Sequence, residues 1–436
     1  MSGFRQFGLV DIDLNQQLTV LTGANGAGKT TILNILGNHF SWHSQFLAAP
    51  TKWGHGESSY SPDIHNLDAI YLEAILESTD TDRVEILREM LYQRQSYPNQ
   101  PGRPPEVTVG ALSYRDNGPV SKINVPENSH SIQYSLTIDP QKHVDGIYLS
   151  SHRSPGSYQQ ISTIPATFAQ TEQIFQEYVG EIRSAVLGHR SDKSAMLRMK
   201  EALLAAAIYG EGNSSVIPDD NARAVWMGFQ DVLHLLLPKS LRFKRLVAEP
   251  PEIVVETETG RFAIDSISGG ISALFELSWQ IYLRSHGSAQ FTVCFDEPEN
   301  HLHPSLQRTL IPSLMQAFPN VSFIVATHSP FIVTAAKEAK VYVLRYNDDN
   351  MVESAELDFT NKAQSAERTL VEVLGLESTT PIWAEDRFNS IMRRFLATPP
   401  TGQSVRRLKA ELENEGLGEE LPIALELFLE PKGKDQ

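Results

Sequence analysis

The chain has 436 residues, more than one hydrophobic core ordinarily organises, so a main domain with an inserted or appended lobe is expected. Its 37 lysines and arginines face 53 acidic residues, a net charge of −16, which excludes a protein that coats nucleic acid by bulk charge but leaves room for a local basic groove. The single cysteine, Cys294, excludes an internal disulfide, and no run reaches the roughly 18 apolar residues that span a bilayer, so a soluble, cytoplasmic chain without a membrane role is expected.

In chain order, residues 4 to 22 alternate apolar and polar positions and end in QLTVLTG, which predicts two strands delivering the chain into a glycine-rich turn. GKTTILNILGNHF then places Ile32, Ile35 and Leu36 on one helical face. Trp42 to Pro62 reads as a loop, with His39, Trp42 and His43 at its entry. LDAIYLEAILES and VEILREMLYQRQ read as helices, and strands are expected at EVTVGALSYR, SIQYSLTI and GIYLSSHR. From Ile164 to Leu237 the pattern is mostly helical and carries no heptad repeat, so no long coiled coil is expected. Strands return at LRFKRLVAE, EIVVETE and RFAID. An α/β alternation follows: helix from Ile271, strand FTVCFDE, helix SLQRTLIPSLMQAF, strand VSFIVAT, helix from Pro330, strand KVYVLRY. Beyond about Asp348 the sequence reads as a small helical appendage.

Gly23-Ala24-Asn25-Gly26-Ala27-Gly28-Lys29-Thr30 has Walker A spacing between an apolar strand and a helix, the context that gives the motif its meaning. Glycines let the backbone wrap phosphate, N–H groups converge, and the helix adds its positive end. The nucleotide stretch is therefore Asn25, Gly26, Ala27, Gly28, Lys29, Thr30 and Thr31. Lys29 reaches the β- and γ-phosphates, and the Thr30 hydroxyl is a Mg²⁺ ligand. Downstream, an apolar strand ends in Asp296 and Glu297. Side chains alternate along a strand, so Asp296 faces the metal's water shell while Glu297 faces the γ-phosphate as the base for attacking water.

With Asp296-Glu297-Pro298-Glu299-Asn300 and Ala326-Thr327-His328-Ser329-Pro330 added, the chain resembles the ABC-type ATPases of the RecF/SMC/OLD group, over most of Phe4 to Leu344. It is similar to ATPase subunits of antiphage systems such as PARIS, Septu and OLD-type, and the resemblance implies a nucleotide-gated sensor or scaffold in antiphage defence or DNA repair. The resemblance implies an α/β P-loop NTPase of ABC-head type, with a mixed β-sheet core, an antiparallel β subregion and a helical insert. The expected divisions are 1–163, the insert 164–240, 241–347, and an appendage 348–436. It implies ATP and Mg²⁺ as cofactors, His328 as the switch histidine, and catalysis by Glu297, His328 and Lys29.

Ser268-Gly269-Gly270, opening the helix ISALFELSWQIYL, corresponds to the signature that binds the γ-phosphate held by another subunit; Ile271 departs from the usual Gln or Glu. The signature implies a homodimer or a higher oligomer of head pairs. The expected Q-loop glutamine is absent, and Ser151, His152 and Arg153 stand there, Arg153 reading equally as a phosphate sensor or a surface arginine. Asn300, His301 and His303 fall in the D-loop region. Arg242, Lys244 and Arg245 around Phe243, with Arg393-Arg394 and Arg406-Arg407, are candidate DNA contacts or solvated faces. The segment after His328 is short for a nuclease domain and offers only Glu356 and Asp358, so a nuclease or toxin is expected as a separate partner. The competing reading, a transporter's nucleotide-binding subunit, is disfavoured by the roughly 240 residues between Walker A and signature.

Overall fold

The computed structural model describes residues 1–51, 59–62, 64, 84, 106–115, 118–127, 131–151, 158–189, 191–288, 290–357, 365–374, 376 and 381–429. The helices expected at LDAIYLEAILES and VEILREMLYQRQ lie outside the described residues, Val84 apart, as do His152, Arg153 and Asp358. The chain divides into two units, Met1–Thr369 and Leu370–Gln436. Segments 1–163, 164–240 and 241–347 therefore all belong to the first.

The N-terminal segment makes three short strands where two are expected: β1 (Ser2–Phe4) and β2 (Phe7–Leu9) form a hairpin through Arg5 and Gln6, and β3 (Leu18–Gly23) leads into α1 (Lys29–Gly37). Small strands follow as β4 (Phe46–Leu47), β5 (Ala49–Thr51) and β6 (Ser59–Ser61), then β7 (Glu106–Leu112), β8 (Ser121–Pro126), β9 (Gln133–Tyr134), β10 (Thr137–Asp139) and β11 (Gly146–Leu149). Helices α2 (Thr171–Val186), α3 (Ala195–Glu211) and α4 (Asp220–Leu236) come next. An antiparallel sheet of β12 (Phe243–Glu249), β13 (Glu252–Thr257) and β14 (Arg261–Ala263) precedes α5 (Gly269–Gly287). The unit continues with β15 (Phe291–Asp296), α6 (Pro304–Ala317), β16 (Val321–Ala326), the single turn α7 (Pro330–Val333), β17 (Lys340–Tyr346) and β18 (Val352–Glu356), and the division after Thr369 falls within α8 (Ala366–Glu372).

The main sheet has the order β1-β2-β18-β17-β3-β16-β15-β11. Strands β11, β15, β16, β3 and β17 run parallel, whereas β18 pairs antiparallel with β17. Every residue of β3 is buried, which is why LTVLTG reads as a run and not an alternation: a central parallel strand is covered on both faces. On one face, α1 lies against β3, β15 and β16 and shares a core with the antiparallel strands β7, β8 and β10, including Leu33, Ile35, Val109, Val125 and Ile138. The other layer is helical. Ser194 and Asp219 cap α3 and α4 by accepting from Leu197 N and Ala222 N at 3.1 and 2.9 Å, each worth about 1 kcal/mol. Phe229 of α4 meets Trp279 of α5 edge-on, ring centres 4.8 Å apart at 72°, fixing the helices against each other.

Strand β18 lies beyond residue 347, where the sequence suggests the sheet-bearing part ends; its five-residue register with β17, Tyr342 opposite Glu356 through Tyr346 opposite Val352, extends that part. The second unit contains α9 (Ile382–Leu396), α10 (Gly402–Asn414) and α11 (Leu421–Leu429), packed on Ile391, Met392, Leu408, Leu412 and Phe428. Among the described residues, no helix is long and apolar enough to cross a membrane.

Candidate functional site

The carboxyl ends of β3, β15 and β16 lie side by side, the place where open parallel sheets bind ligands. β3 delivers Gly23, whose φ of +133° and approach to β17 exclude a side chain: a Cβ there would lie 2.2 Å from the Leu344 carbonyl oxygen. Gly28, at φ +88°, starts α1 under the Phe7 ring, which a Cβ would meet at 2.4 Å. The loop is braced from outside, since Gln6 Nε2 donates to the Gly26 carbonyl and Arg5 Nη1 reaches Thr31 Oγ1 at 3.5 Å.

Lys29 folds back over this loop, donating to the carbonyls of Gly23 (3.1 Å) and Ala24 (3.0 Å). Burial pulls its ammonium down to about 8, against the pull of Glu297, Asp296 and Glu299. Buried Asp296 ends β15 and accepts from Thr30 Oγ1 through both oxygens, at 3.0 and 3.2 Å. Burial pushes its carboxyl up to about 6, a tendency that the Thr30 bond opposes and Glu297 and Glu299 reinforce. A hydroxyl and a desolvated carboxylate with little compensating charge form a hard-oxygen pair that fits a magnesium ion.

Glu297 holds a left-handed backbone, φ +46°, fixed by its N–H bond to the Ala326 carbonyl (2.8 Å). Such strain in a non-glycine residue concentrates at functional sites. Its Oε2 accepts from Asn300 Nδ2 at 2.9 Å, and the same amide reaches the Ser151 carbonyl at 3.4 Å. Glu299, quoted within the motif but given no role by sequence reasoning, ties the next strand end: Oε1 accepts from Thr327 Oγ1 (2.8 Å) and His328 N (2.7 Å), while Oε2 is sealed from solvent without a partner. Burial raises the Glu299 carboxyl. His328 is held below its ordinary value by burial and then by Lys29, so it is neutral at pH 7. Lys29, Thr30, Asp296, Glu297 and His328 thus gather at neighbouring strand ends, linked by the Thr30–Asp296 bond and by the charges that act on Lys29 and His328.

A family profile described as "AAA domain, putative AbiEii toxin, Type IV TA system" (AAA_21) matches residues 18–334. The chain belongs to this family. Septu protein PtuA of Bacillus thuringiensis is 22% identical over 392 residues, covering 86% of this chain and 83% of that protein. The Retron Ec83 probable ATPase of Escherichia coli is 26% identical over 125 residues, 27% of this chain and 23% of that protein. Among solved structures, an SMC head bound to the C-winged helix domain of ScpA aligns with TM-score 0.41 and 14% identity, over 82% of this chain and 95% of that one.

In this AAA_21 chain the segment Ser268-Gly269-Gly270 opens α5. Ser268 is exposed at the N-cap with no side-chain cap bond, and nothing lies within 4 Å of a Cβ added at Gly269, so the turn that opens the helix is uncovered on that side. Gly270 instead abuts the D-loop, where a Cβ would come 2.9 Å from the His301 carbonyl oxygen. His303 is a helix cap, accepting from Ser305 N at 3.3 Å ahead of Pro304. His39 bonds the Leu36 carbonyl and the Tyr114 hydroxyl, and Trp42 stacks on Tyr148 with ring centres 4.8 Å apart, so both serve packing.

The basic strand carries its own counter-charges: Arg242 pairs with Glu258 and Arg245 with Glu256, while Arg261 of the neighbouring strand pairs with Glu249. Arg394 is likewise paired with Glu411. Such neutralisation argues against reading β12 as a bare phosphate-binding face.

Asp296 carries a pH signature. The folded chain holds its proton up to about 6, the unfolded chain only to about 4, so nucleotide- and metal-free protein loses stability as pH rises across that window. Thermal unfolding between pH 4 and 7 is expected to show a loss of up to about 3 kcal/mol that Asp296→Asn lacks. An identical slope in both proteins would refute the assignment.

Proposed function

We propose that this chain is an ABC-type ATPase that binds and hydrolyses Mg²⁺-ATP between paired heads, acting in the cytoplasm as a nucleotide-gated sensor or scaffold in antiphage defence. Its output is control of a separate nuclease or toxin. The observation that carries the reading is the convergence of Lys29, the Thr30–Asp296 pair and Glu297 at adjacent ends of parallel strands. Relatedness to Septu PtuA and to a retron ATPase supports the defence setting.

In this mechanism Lys29 exchanges its two loop carbonyls for β- and γ-phosphate oxygens, and loop N–H groups of residues 25–31 wrap the triphosphate. Thr30 and Asp296 would hold a magnesium ion, which would supply positive charge to the triphosphate. Glu297, oriented by Asn300, takes the proton of the attacking water. Neutral His328 donates to the γ-phosphate, and Glu299 fixes its backbone, so phosphate loss is felt through the Thr327–His328 turn. The Ser268 turn of a second head closes the site, its helix N-terminus and dipole meeting the same γ-phosphate.

The paired-head arrangement is tested with Ser268→Arg. An isolated head should still bind ATP within about twofold of the parent, while turnover falls about 10²–10³-fold through loss of preorganised donors. Retention of full turnover would remove the second head from the mechanism.

A further inference from the structure

Outside the nucleotide pocket, the side chain furthest from its usual surroundings is Lys200. Lysine is almost never fully buried unless paired, yet Lys200, within α3, has no solvent exposure. Its Nζ donates to the Gln159 carbonyl (2.7 Å), to Asp265 Oδ2 (2.7 Å) and to Glu252 Oε2 (3.2 Å). The Tyr158 ring centre is 5.0 Å away, and its hydroxyl donates to Glu252 Oε1 at 2.6 Å. All three ammonium donors are therefore used, on oxygens from three separate segments.

Net stability is a weak reason for this arrangement, because apolar residues of similar volume commonly do as well as a buried ion pair. A threefold-bonded ammonium supplies instead a fixed geometry among the segments it joins. Gln159 is anchored to the start of α3, its Oε1 accepting from Ser194 N at 2.8 Å and its Nε2 donating to the Asp192 carbonyl at 3.1 Å. Glu252 begins β13. Asp265 lies in the one-turn 3-10 helix Ile264–Ser266, three residues before Ser268. The exposed Ser268 side chain caps nothing and Gly269 has open space around it, so the signature turn is braced from behind, by Gly270 on His301 and by Asp265 on Lys200.

We propose that Lys200 is a positioning residue which, through Asp265, sets the angle at which Ser268-Gly269-Gly270 is presented to the nucleotide of a partner head. This rests on the paired-head reading above. The test uses the full chain in the Glu297→Gln background with ATP and magnesium: sedimentation velocity reads pairing, and titration with a fluorescent ATP analogue reads single-head binding. Asp265→Asn keeps Lys200 bonded to Gln159 and Glu252 and leaves only a neutral amide oxygen facing its ammonium, so the link to the segment before the signature weakens from a charge-assisted to an ordinary hydrogen bond. It should leave analogue affinity within about twofold and raise the protein concentration for half-pairing about tenfold, the difference between a charge-assisted and a neutral hydrogen bond. Asp265→Glu should recover part of that loss, and Lys200→Met should match Asp265→Asn wherever it folds.

Unchanged pairing in Asp265→Asn, with Ser268→Arg still blocking it, would overturn the role of Lys200 and leave the paired-head reading standing. Normal pairing by Ser268→Arg would remove that reading and this proposal together. Parallel loss of analogue affinity, pairing and melting temperature would mean general loosening, and would also overturn the proposal.

Discussion

Replacing Glu297 by glutamine is expected to leave ATP binding intact and to slow turnover by about 10²–10⁴-fold, the range assigned to a positioned general base. Glutamine matches the carboxylate in size and can still accept the Asn300 amide bond seen at 2.9 Å, so the loop keeps its shape while losing its proton acceptor. The left-handed backbone at Glu297 is held by the Ala326 carbonyl and not by the side chain, so the substitution leaves that strain where it is. Heads loaded with ATP should then accumulate as closed pairs, visible as a sedimentation shift that ADP does not produce. Steady-state phosphate release equal to the parent's would sink Glu297 as the base.

The second large effect is expected from Lys29→Ala. Lys29 is buried and its only acceptors among the described residues are two carbonyls of its own loop, while burial holds the ammonium near 8. A γ-phosphate would supply direct ionic contact to an ammonium that burial has stripped of water. Truncating one member of a buried, hydrogen-bonded charge pair costs about 2–5 kcal/mol, so nucleotide affinity should fall roughly 30-fold to several thousandfold. Calorimetric titration with Mg²⁺-ATP reads the change directly. An affinity within a few-fold of the parent's would place the phosphates elsewhere.

The candidate site stands out in the sequence because its parts are local. Walker A sits within eight residues and is framed by a buried run and an amphipathic helix; Asp296 and Glu297 end an apolar strand. What escaped sequence reading depends on partners far along the chain. Glu299 meets Thr327 and His328 only because β15 and β16 pair in register, with Asp296 beside Ala326. Lys200 stands in AMLRMKEALLAAAIYG, where a lysine reads as one solvated position; its acceptors at 159, 252 and 265 lie on other elements.

Strand β8, SKINVP, went unpredicted because its outward positions are Lys122, Asn124 and Pro126, which mask the buried Ser121, Ile123 and Val125. β18 was hidden for a similar reason: VESAE contributes one fully buried residue, Val352, and its place in the sheet comes from pairing with β17. Conversely, the helix expected from Pro330 stops after one turn at Val333, and the basic pattern around Phe243 gave no sign of the glutamates standing opposite.

The meeting of Gly270 with the His301 carbonyl has a mechanical consequence. In the proposed pair of heads, the loop through His301 follows the chain's own Glu297, whereas the turn at Gly270 would meet the nucleotide of its mate. With no room for even a methyl group between them, a displacement of one would displace the other, and under the paired-head proposal an event at one nucleotide would reach the other through this backbone contact.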